Sequence, residues 1–187
     1  MTYPDVHLTS RELLADWLTA NHATSGGVWL VSWRRDELGP RIRYEELIRE
    51  LLRFGWIDST VRTIDADRSA LRITPRRPGS VWSRPNKQRV TELTEAGLMT
   101  EAGLAVVERA RCDGSWTILD DVEDGIVPPD LAAALAAEEA VDGFESLTPG
   151  RRKQLLYWVT MAKRPQTRRD RITRVAQAAR DGRSALD

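Results

Sequence analysis

Residues 56–74, "WIDSTVRTIDADRSALRIT", decide the fold of this chain. Two runs rich in β-branched residues, 56–64 and 69–74, flank the short polar segment "DADR". Such runs joined by a tight polar turn are typical of a β-hairpin. A third run, "VWLVSWRR" at residues 28–35, has the same β-branched and aromatic character. The three segments together predict a small antiparallel sheet.

Helical patterns surround the predicted sheet. Residues 9–21 and 44–55 place their apolar side chains on one face of a helix. From residue 87 onward the chain is a series of helices, bounded by glycines and prolines. The sequence therefore predicts an α+β fold. We expect an N-terminal lobe, residues 1–90, with a small antiparallel sheet and flanking helices, and an all-helical lobe, residues 91–187, packed on it.

Composition excludes several classes of protein. The chain has a hydrophobic content of 41% and a net charge of zero, which is ordinary for a globular protein. Its single cysteine, Cys112, excludes an intramolecular disulfide and a CxxC site. No metal-binding, P-loop or dinucleotide motif occurs, so no metal and no cofactor are expected. Neither a secretory signal nor a membrane-spanning run is found, so we expect a cytoplasmic protein without membrane insertion.

Charge is distributed in blocks. Residues 112–148 contain ten acidic residues and no Lys or Arg, whereas residues 151–187 contain eleven basic residues and three acidic ones. The two blocks can pair within one fold or meet outside partners. Pairing within the fold is the favoured interpretation. Nucleic-acid binding by the basic C-terminal helices is accordingly the least favoured function.

Five segments carry a family resemblance. In order along the chain they are "LLRFGWIDSTVR", "RITPRRPGSVWSRPN", "LMTEAGLAVVERARCDGSW", "PPDLAAALAA" and "YWVTMAKRPQTRRDRI". With these segments the chain resembles the YdeI/OmpD-associated family, also labelled bacteriocin-protection, over roughly residues 10 to 182. The resemblance implies a role in protection against antimicrobial peptides or stress, and an association with an outer-membrane porin. It implies no established reaction, cofactor or catalytic residue.

The loop at residues 74–86, "TPRRPGSVWSRPN", has the composition of a binding-site wall. It contains three arginines, three prolines and one tryptophan, and no acidic residue. Arginine forks, serine hydroxyls and a helix N-terminus bind anions, and a tryptophan adds an apolar wall. On the preceding hairpin, a regular register would place four polar residues on one face, namely Asp58, Arg62, Arg72 and Thr74.

We therefore predict an anion-accepting pocket between the lobes. Its candidate residues are Trp56, Asp58, Arg62, Arg72, Thr74, Arg76, Ser80, Trp82, Ser83, Asn86, Trp158, Arg164 and Arg168. A purely structural role stays open for each: Asp58 in a buried ion-pair network, Trp82 filling the joint between the lobes, and Ser83 as a helix N-cap.

The favoured function is binding of a small anionic or aromatic molecule, or a peptide, in resistance to antimicrobial compounds or stress. The alternative is a hydrolase or isomerase that uses Asp58 as acid or base, with arginines stabilising developing negative charge. Arginines beside Asp58 would stabilise its carboxylate and weaken it as a base, so the enzyme ranks second. The sequence indicates neither the ligand nor the oligomeric state.

Overall fold

The computed structural model describes residues 3–186 and confirms the α+β fold class. The strands are β1 Asp5–His7, β2 Val28–Trp33, β3 Trp56–Thr63 and β4 Arg68–Pro75. The helices are α1 Arg11–Asn21, α2 Tyr44–Arg53, α3 Arg84–Glu95, α4 Glu101–Cys112, α5 Asp120–Glu123, α6 Pro129–Ala137, α7 Val141–Glu145, α8 Pro149–Thr160 and α9 Pro165–Arg180. A short 3₁₀ helix, Asp36–Leu38, lies between β2 and α2.

The sheet has the strand order β1-β2-β4-β3. The predicted hairpin is β3–β4, and β2 pairs antiparallel with β4, with Val28 opposite Ile73. Strand β1 was not predicted from the sequence and pairs in parallel with β2. Helix α1 provides the crossover connection that a parallel pair needs. The sheet is therefore mixed, and its antiparallel part is the part that the sequence predicted.

One face of the sheet packs on helices. We call it the inner face, and it is the face that carries Val28, Leu30 and Ile73. These three side chains are buried in one core cluster with Leu14 of α1 and Leu51 of α2. The opposite face, which we call the outer face, carries the side chains at alternate positions of the same strands.

A β-bulge interrupts the pairing of β3 with β4. Asp58 is opposite Ile73, but Val61 is opposite Leu71, so β3 has one extra residue between the two pairs. Directly opposite residues place their side chains on the same face of a sheet. Asp58 and Val61 therefore both lie on the inner face, although an odd number of residues separates them in the sequence.

Helix α4 packs closely on the C-terminal end of α2. Thr100, the N-cap of α4, donates its hydroxyl to the Arg53 carbonyl at 2.6 Å and accepts from the Gly103 amide at 3.2 Å. A Cβ atom at Gly103 would lie 2.1 Å from the Arg53 oxygen. Only glycine permits this approach, because no side-chain atom fits within that distance.

The chain forms two compact units, Met1–Trp116 and Thr117–Asp187. The first contains the sheet and α1 to α4, so it includes helices that the sequence-based boundary at residue 90 gave to the second lobe. In the second unit, α9 contacts α6, α7 and α8. No helix among residues 3–186 has both the length and the apolar character needed to cross a membrane.

Candidate functional site

Arg76 and Trp82 from the predicted loop are packed together inside the first unit. The Arg76 guanidinium lies 3.8 Å from the centroid of the Trp82 ring, and Trp82 is only 1% exposed. Nη1 of Arg76 donates to the Val81 carbonyl at 3.2 Å, whereas its Nε has no hydrogen-bond partner among residues 3–186. Burial lowers the pKa of Arg76 to about 10, and the nearby charge of Asp58 acts in the opposite direction.

The space beside this pair is closed. The gap lined by Arg76, Ser80 and Trp82 has no volume for a water-sized molecule. Trp82 also packs against Trp116, with ring centroids 5.0 Å apart, and the Ser80 amide donates to the Arg77 carbonyl at 3.1 Å in a turn. In this arrangement Arg76 and Trp82 are part of the packed interior, whereas Arg77, Pro78 and Gly79 are exposed. The role of the loop in binding stays a prediction.

The start of α3 contains two further predicted residues. Ser83 occupies the N-cap position, which is the structural role that the sequence left open for it. Its side chain makes no capping hydrogen bond. Asn86 accepts a hydrogen bond from Arg89 at 3.0 Å, and Arg89 in turn binds the Glu45 carboxylate of α2 at 2.6 Å. The polar groups here tie α3 to α2.

Trp56 and Asp58 begin β3 on the inner face. Trp56 is buried and meets Trp17 of α1 edge to face, with ring centroids 5.6 Å apart. Asp58 accepts a hydrogen bond from the Tyr44 hydroxyl of α2 at 3.1 Å. The prediction that Asp58 shares a face with Arg62, Arg72 and Thr74 is wrong, because the bulge reverses the side-chain alternation after Asp58.

The other three hairpin residues share the outer face, as predicted for them. The Arg62 guanidinium lies 4.5 Å from the Trp29 ring centroid, and Arg62 also pairs with Asp5 of β1. Arg72 donates to the hydroxyls of Ser59 at 2.9 Å and Thr60 at 3.3 Å. The methyl group of Thr74 lies close to Gly27, where a Cβ atom would be 2.6 Å away.

The predicted residues of the second unit make contacts within that unit. Trp158 has the guanidinium of Arg171 4.9 Å from its ring centroid, and Arg171 donates to the Trp158 carbonyl at 2.5 Å. Arg168 donates to both carboxylate oxygens of Asp130, at 2.6 and 2.8 Å. This hydrogen bonding lowers the pKa of Asp130. Arg164 is exposed at the N-cap position of α9.

Ion pairs join the acidic and basic blocks. The pairs are Arg168–Asp130, Lys153–Glu123 and Arg180–Glu138. Each links a base from residues 151–187 to an acid from residues 112–148. These contacts agree with the interpretation that the two charge blocks pair within the fold.

A cleft that the sequence analysis missed lies in the first unit and measures about 760 Å³. It is bounded by the inner face of the sheet, the beginning of α2 and the segment from residue 34 to 43. The sheet contributes Leu30, Ser32, Trp33, Val61, Ser69 and Leu71, and the helix contributes Tyr44 and Leu47. The remaining lining residues are Leu8, Arg34, Asp36, Gly39, Pro40, Arg41, Ile42 and Arg43.

Apolar side chains in this cleft face solvent. Val61 is 63% exposed and Tyr44 is 61% exposed, the two highest values among the large hydrophobic residues of the described chain. Val61 reaches the cleft because of the bulge, since a regular register from Asp58 would turn it to the outer face. No signal in the sequence marks this reversal, which explains why the cleft was missed.

Charged side chains lie along one side of the cleft. Arg34, Arg41 and Arg43 are accompanied there by a single acid, Asp36. Arg41 binds Asp36 through Nε at 2.5 Å, and this hydrogen bond is the main cause of the lowered pKa of Asp36. A second Arg41 hydrogen bond reaches the Arg34 carbonyl at 3.3 Å.

Gly39 fixes the path of this segment. Its φ is 153°, and a Cβ atom there would lie 2.5 Å from the indole nitrogen of Trp33. A side chain at this position would displace the segment from Trp33, so the glycine keeps the arginines beside the apolar wall.

Comparisons with known proteins divide the chain in two. Residues 6–106 match the model of a family described as a domain of unknown function (DUF8412). Residues 124–182 match the model described as "Bacteriocin-protection, YdeI or OmpD-Associated", which confirms the resemblance for that part of the chain. No significant match is found among the curated proteins or among the solved structures.

Proposed function

This chain belongs to the DUF8412 family through residues 6–106 and carries a YdeI/OmpD-associated segment at residues 124–182, and we propose that it is a small-molecule binding protein. The proposed binding site is the cleft of the first unit. Binding would sequester the ligand, which is one route to protection against an antimicrobial compound. A role in stress and a place in the cytoplasm stay predictions.

The observation that carries the proposal is the exposed apolar surface of the cleft. Val61 and Tyr44 line a space of about 760 Å³, within the range of roughly 300–1,000 Å³ typical of small-molecule sites. A ligand that covered these side chains would remove apolar surface from water, worth about 25 cal/mol per Å². Leu30 and Leu71 extend the same wall into the core.

Binding is testable with an uncharged fluorescent probe. N-phenyl-1-naphthylamine increases its emission in an apolar site and carries no charge, so it reports on the apolar wall alone. We expect saturable binding to the full chain. We expect Val61→Gln to weaken the affinity roughly 10-fold, since loss of a well-placed apolar contact costs about 1–3 kcal/mol.

Ile64 provides the matched control. It is exposed, follows β3 directly and does not line the cleft. Ile64→Gln should leave the probe affinity unchanged. Equal affinities for both variants and the unmodified chain, or no saturable binding at all, would remove the support for the cleft as a binding site.

One contact favours a second candidate function. Tyr44 lines the cleft and donates its hydroxyl to Asp58, which is the acid or base of the enzyme hypothesis. A carboxylate next to a ligand site through a tyrosine could transfer a proton to a bound molecule. A turnover screen of metabolites and antibiotics that compares the unmodified chain with Asp58→Asn tests this: turnover that Asp58→Asn abolishes supports it, and unchanged or absent turnover contradicts it.

A further inference from the structure

We infer that the cleft of the first unit selects amphipathic anions, and that Asp36 holds the position of the anionic group when no ligand is bound. The inference rests on the proposed function and names the chemical class of its ligand. The anionic group would contact Arg34, Arg41 and Arg43, and its apolar part would cover Val61 and Tyr44.

The charge of the cleft favours an anion. Three arginines and one aspartate line it, so its side chains carry two net positive charges. Within residues 3–186, neither Arg34 nor Arg43 forms an ion pair. Guanidinium groups bind carboxylates and sulfonates through paired N–H donors, and two of the three are not engaged by a carboxylate.

The contact between Asp36 and Arg41 is open to exchange. Asp36 is 79% exposed and Arg41 is 40% exposed, so solvent screens the pair and its net contribution to stability is small. Arg41 uses Nε toward Asp36 and a terminal nitrogen toward the Arg34 carbonyl. A ligand carboxylate would replace the Asp36 carboxylate without leaving a buried group unpaired, because both partners already contact water.

The apolar wall distinguishes an amphiphile from a simple anion. An inorganic anion would satisfy the arginines but would leave Val61 and Tyr44 exposed. A molecule with both parts gains from ion pairing and from burial of apolar surface in one event. A medium-chain alkyl carboxylate, an aromatic acid or an alkyl sulfonate has this composition.

The inference is tested by calorimetric titration with three probes of one chain length: decanoate, 1-decanol and decyltrimethylammonium. We expect decanoate to bind at least 10-fold more tightly than 1-decanol at low salt, and its advantage to shrink as salt is raised. Decyltrimethylammonium should bind most weakly. Acetate should show no measurable binding, since it lacks the apolar part.

Two variants test the residues. Asp36→Asn removes the competing carboxylate and should strengthen decanoate binding about 3- to 10-fold, with 1-decanol unchanged. The double change Arg34→Gln with Arg43→Gln should weaken decanoate binding about 10-fold, again with 1-decanol unchanged. All three positions are exposed, so the variants are expected to fold, and thermal melting checks this.

The outcomes separate the two claims. If 1-decanol binds as well as decanoate and Asp36→Asn has no effect, the cleft binds small molecules but is not selective for anions, and the inference is overturned. If the cation binds best, it is also overturned. If N-phenyl-1-naphthylamine binds but decanoate does not, the proposed function stands and the inference is overturned. If neither binds, both fail.

Discussion

Asp58 and Arg62, four residues apart on β3, lie on opposite faces of the sheet. In a regular strand they would share a face, since side chains alternate with a period of two. The bulge between Asp58 and Val61 adds one residue and reverses the alternation. Asp58 thus contacts Tyr44 on the inner face, and Arg62 contacts Trp29 on the outer face.

The bulge predicts an unusual tolerance to deletion. Removing Thr60 would leave Asp58 opposite Ile73 and Val61 opposite Leu71, with the extra residue gone. We expect the variant to fold with a loss of about 1 kcal/mol, mainly the hydrogen bond from Arg72 to Thr60. Val61 would still line the cleft, so N-phenyl-1-naphthylamine should bind within about 3-fold of its original affinity.

Deletion of Ile57 is the contrasting case. It would shift Trp56, which is buried, by one residue relative to β4. A one-residue slip turns a side chain to the opposite face of the sheet. Expulsion of Trp56 from the core should cost roughly 3–5 kcal/mol, as large aromatic truncations do. Denaturant unfolding measures the free energy of unfolding of both deletion variants. If the Thr60 deletion is as damaging as the Ile57 deletion, the bulge does not have the register described.

The sequence predicted the hairpin but not its faces, for a physical reason. β-Branched runs and a polar turn identify β3 and β4 locally, whereas a bulge depends on how two strands pair. A same-face argument across Asp58 and Arg62 assumes a regular register and fails where the register shifts. The cleft depends on the same pairing and on the packing of the segment before α2, so no local pattern marks it.

Two other differences between the prediction and the structure have the same cause, because they depend on contacts between segments that are distant in the sequence. The loop at residues 74–86 was predicted to be the cationic wall of a binding site, and its residues Arg76 and Trp82 lie together. Its composition could not indicate that the pair is enclosed, since enclosure depends on Val106 and Ala110 of α4. Strand β1 was missed because its three residues are too few for a periodic pattern. Its partner β2 also follows only after α1, so no local turn marks the pairing.

The buried guanidinium of Arg76 leads to a prediction for stability. Arg76→Met keeps an unbranched side chain against Trp82 and removes a charge that has no ion-pair partner in the described part of the chain. The unfolding free energy should therefore stay equal or rise by about 1–2 kcal/mol. Arg76→Ala also removes the packing on Trp82 and should cost about 2–3 kcal/mol. Urea unfolding of both compares them. A loss with methionine as large as with alanine would show that the charge itself stabilises the loop.

The Arg168–Asp130 pair leads to a prediction for acid stability of the second unit. The Arg168 hydrogen bonds lower the pKa of Asp130 from 3.8, so the folded state binds its proton less tightly than the unfolded state. The stabilisation is fully present above pH 3.8 and is lost as pH falls through the lowered pKa. Because Asp130 is 47% exposed, screening limits the contribution to about 0.5–1 kcal/mol.

Asp130→Asn should therefore lower the unfolding free energy at pH 6 but not at pH 2. Asp142, exposed on α7 and without an ion pair in the described residues, provides the control. Asp142→Asn should show no pH-dependent difference. A constant difference between Asp130→Asn and the unmodified chain from pH 6 to pH 2 would contradict the pairing.

Gly103 provides the sharpest test of how α4 packs on α2. A methyl group at this position would lie 2.1 Å from the Arg53 oxygen, a backbone atom that also accepts from Thr100. Gly103→Ala must separate the two helices, and overpacking of this kind costs about 1–3 kcal/mol.

The matched control for this change is Gly150, near the start of α8. A Cβ atom added there would have no heavy atom within 4 Å. Gly150→Ala should thus be neutral or stabilise by up to about 1 kcal/mol, through the higher helix propensity of alanine. Thermal and urea unfolding of the two variants, made in the same background, give the comparison. Equal stabilities would mean that α4 does not approach α2 as closely as Gly103 allows.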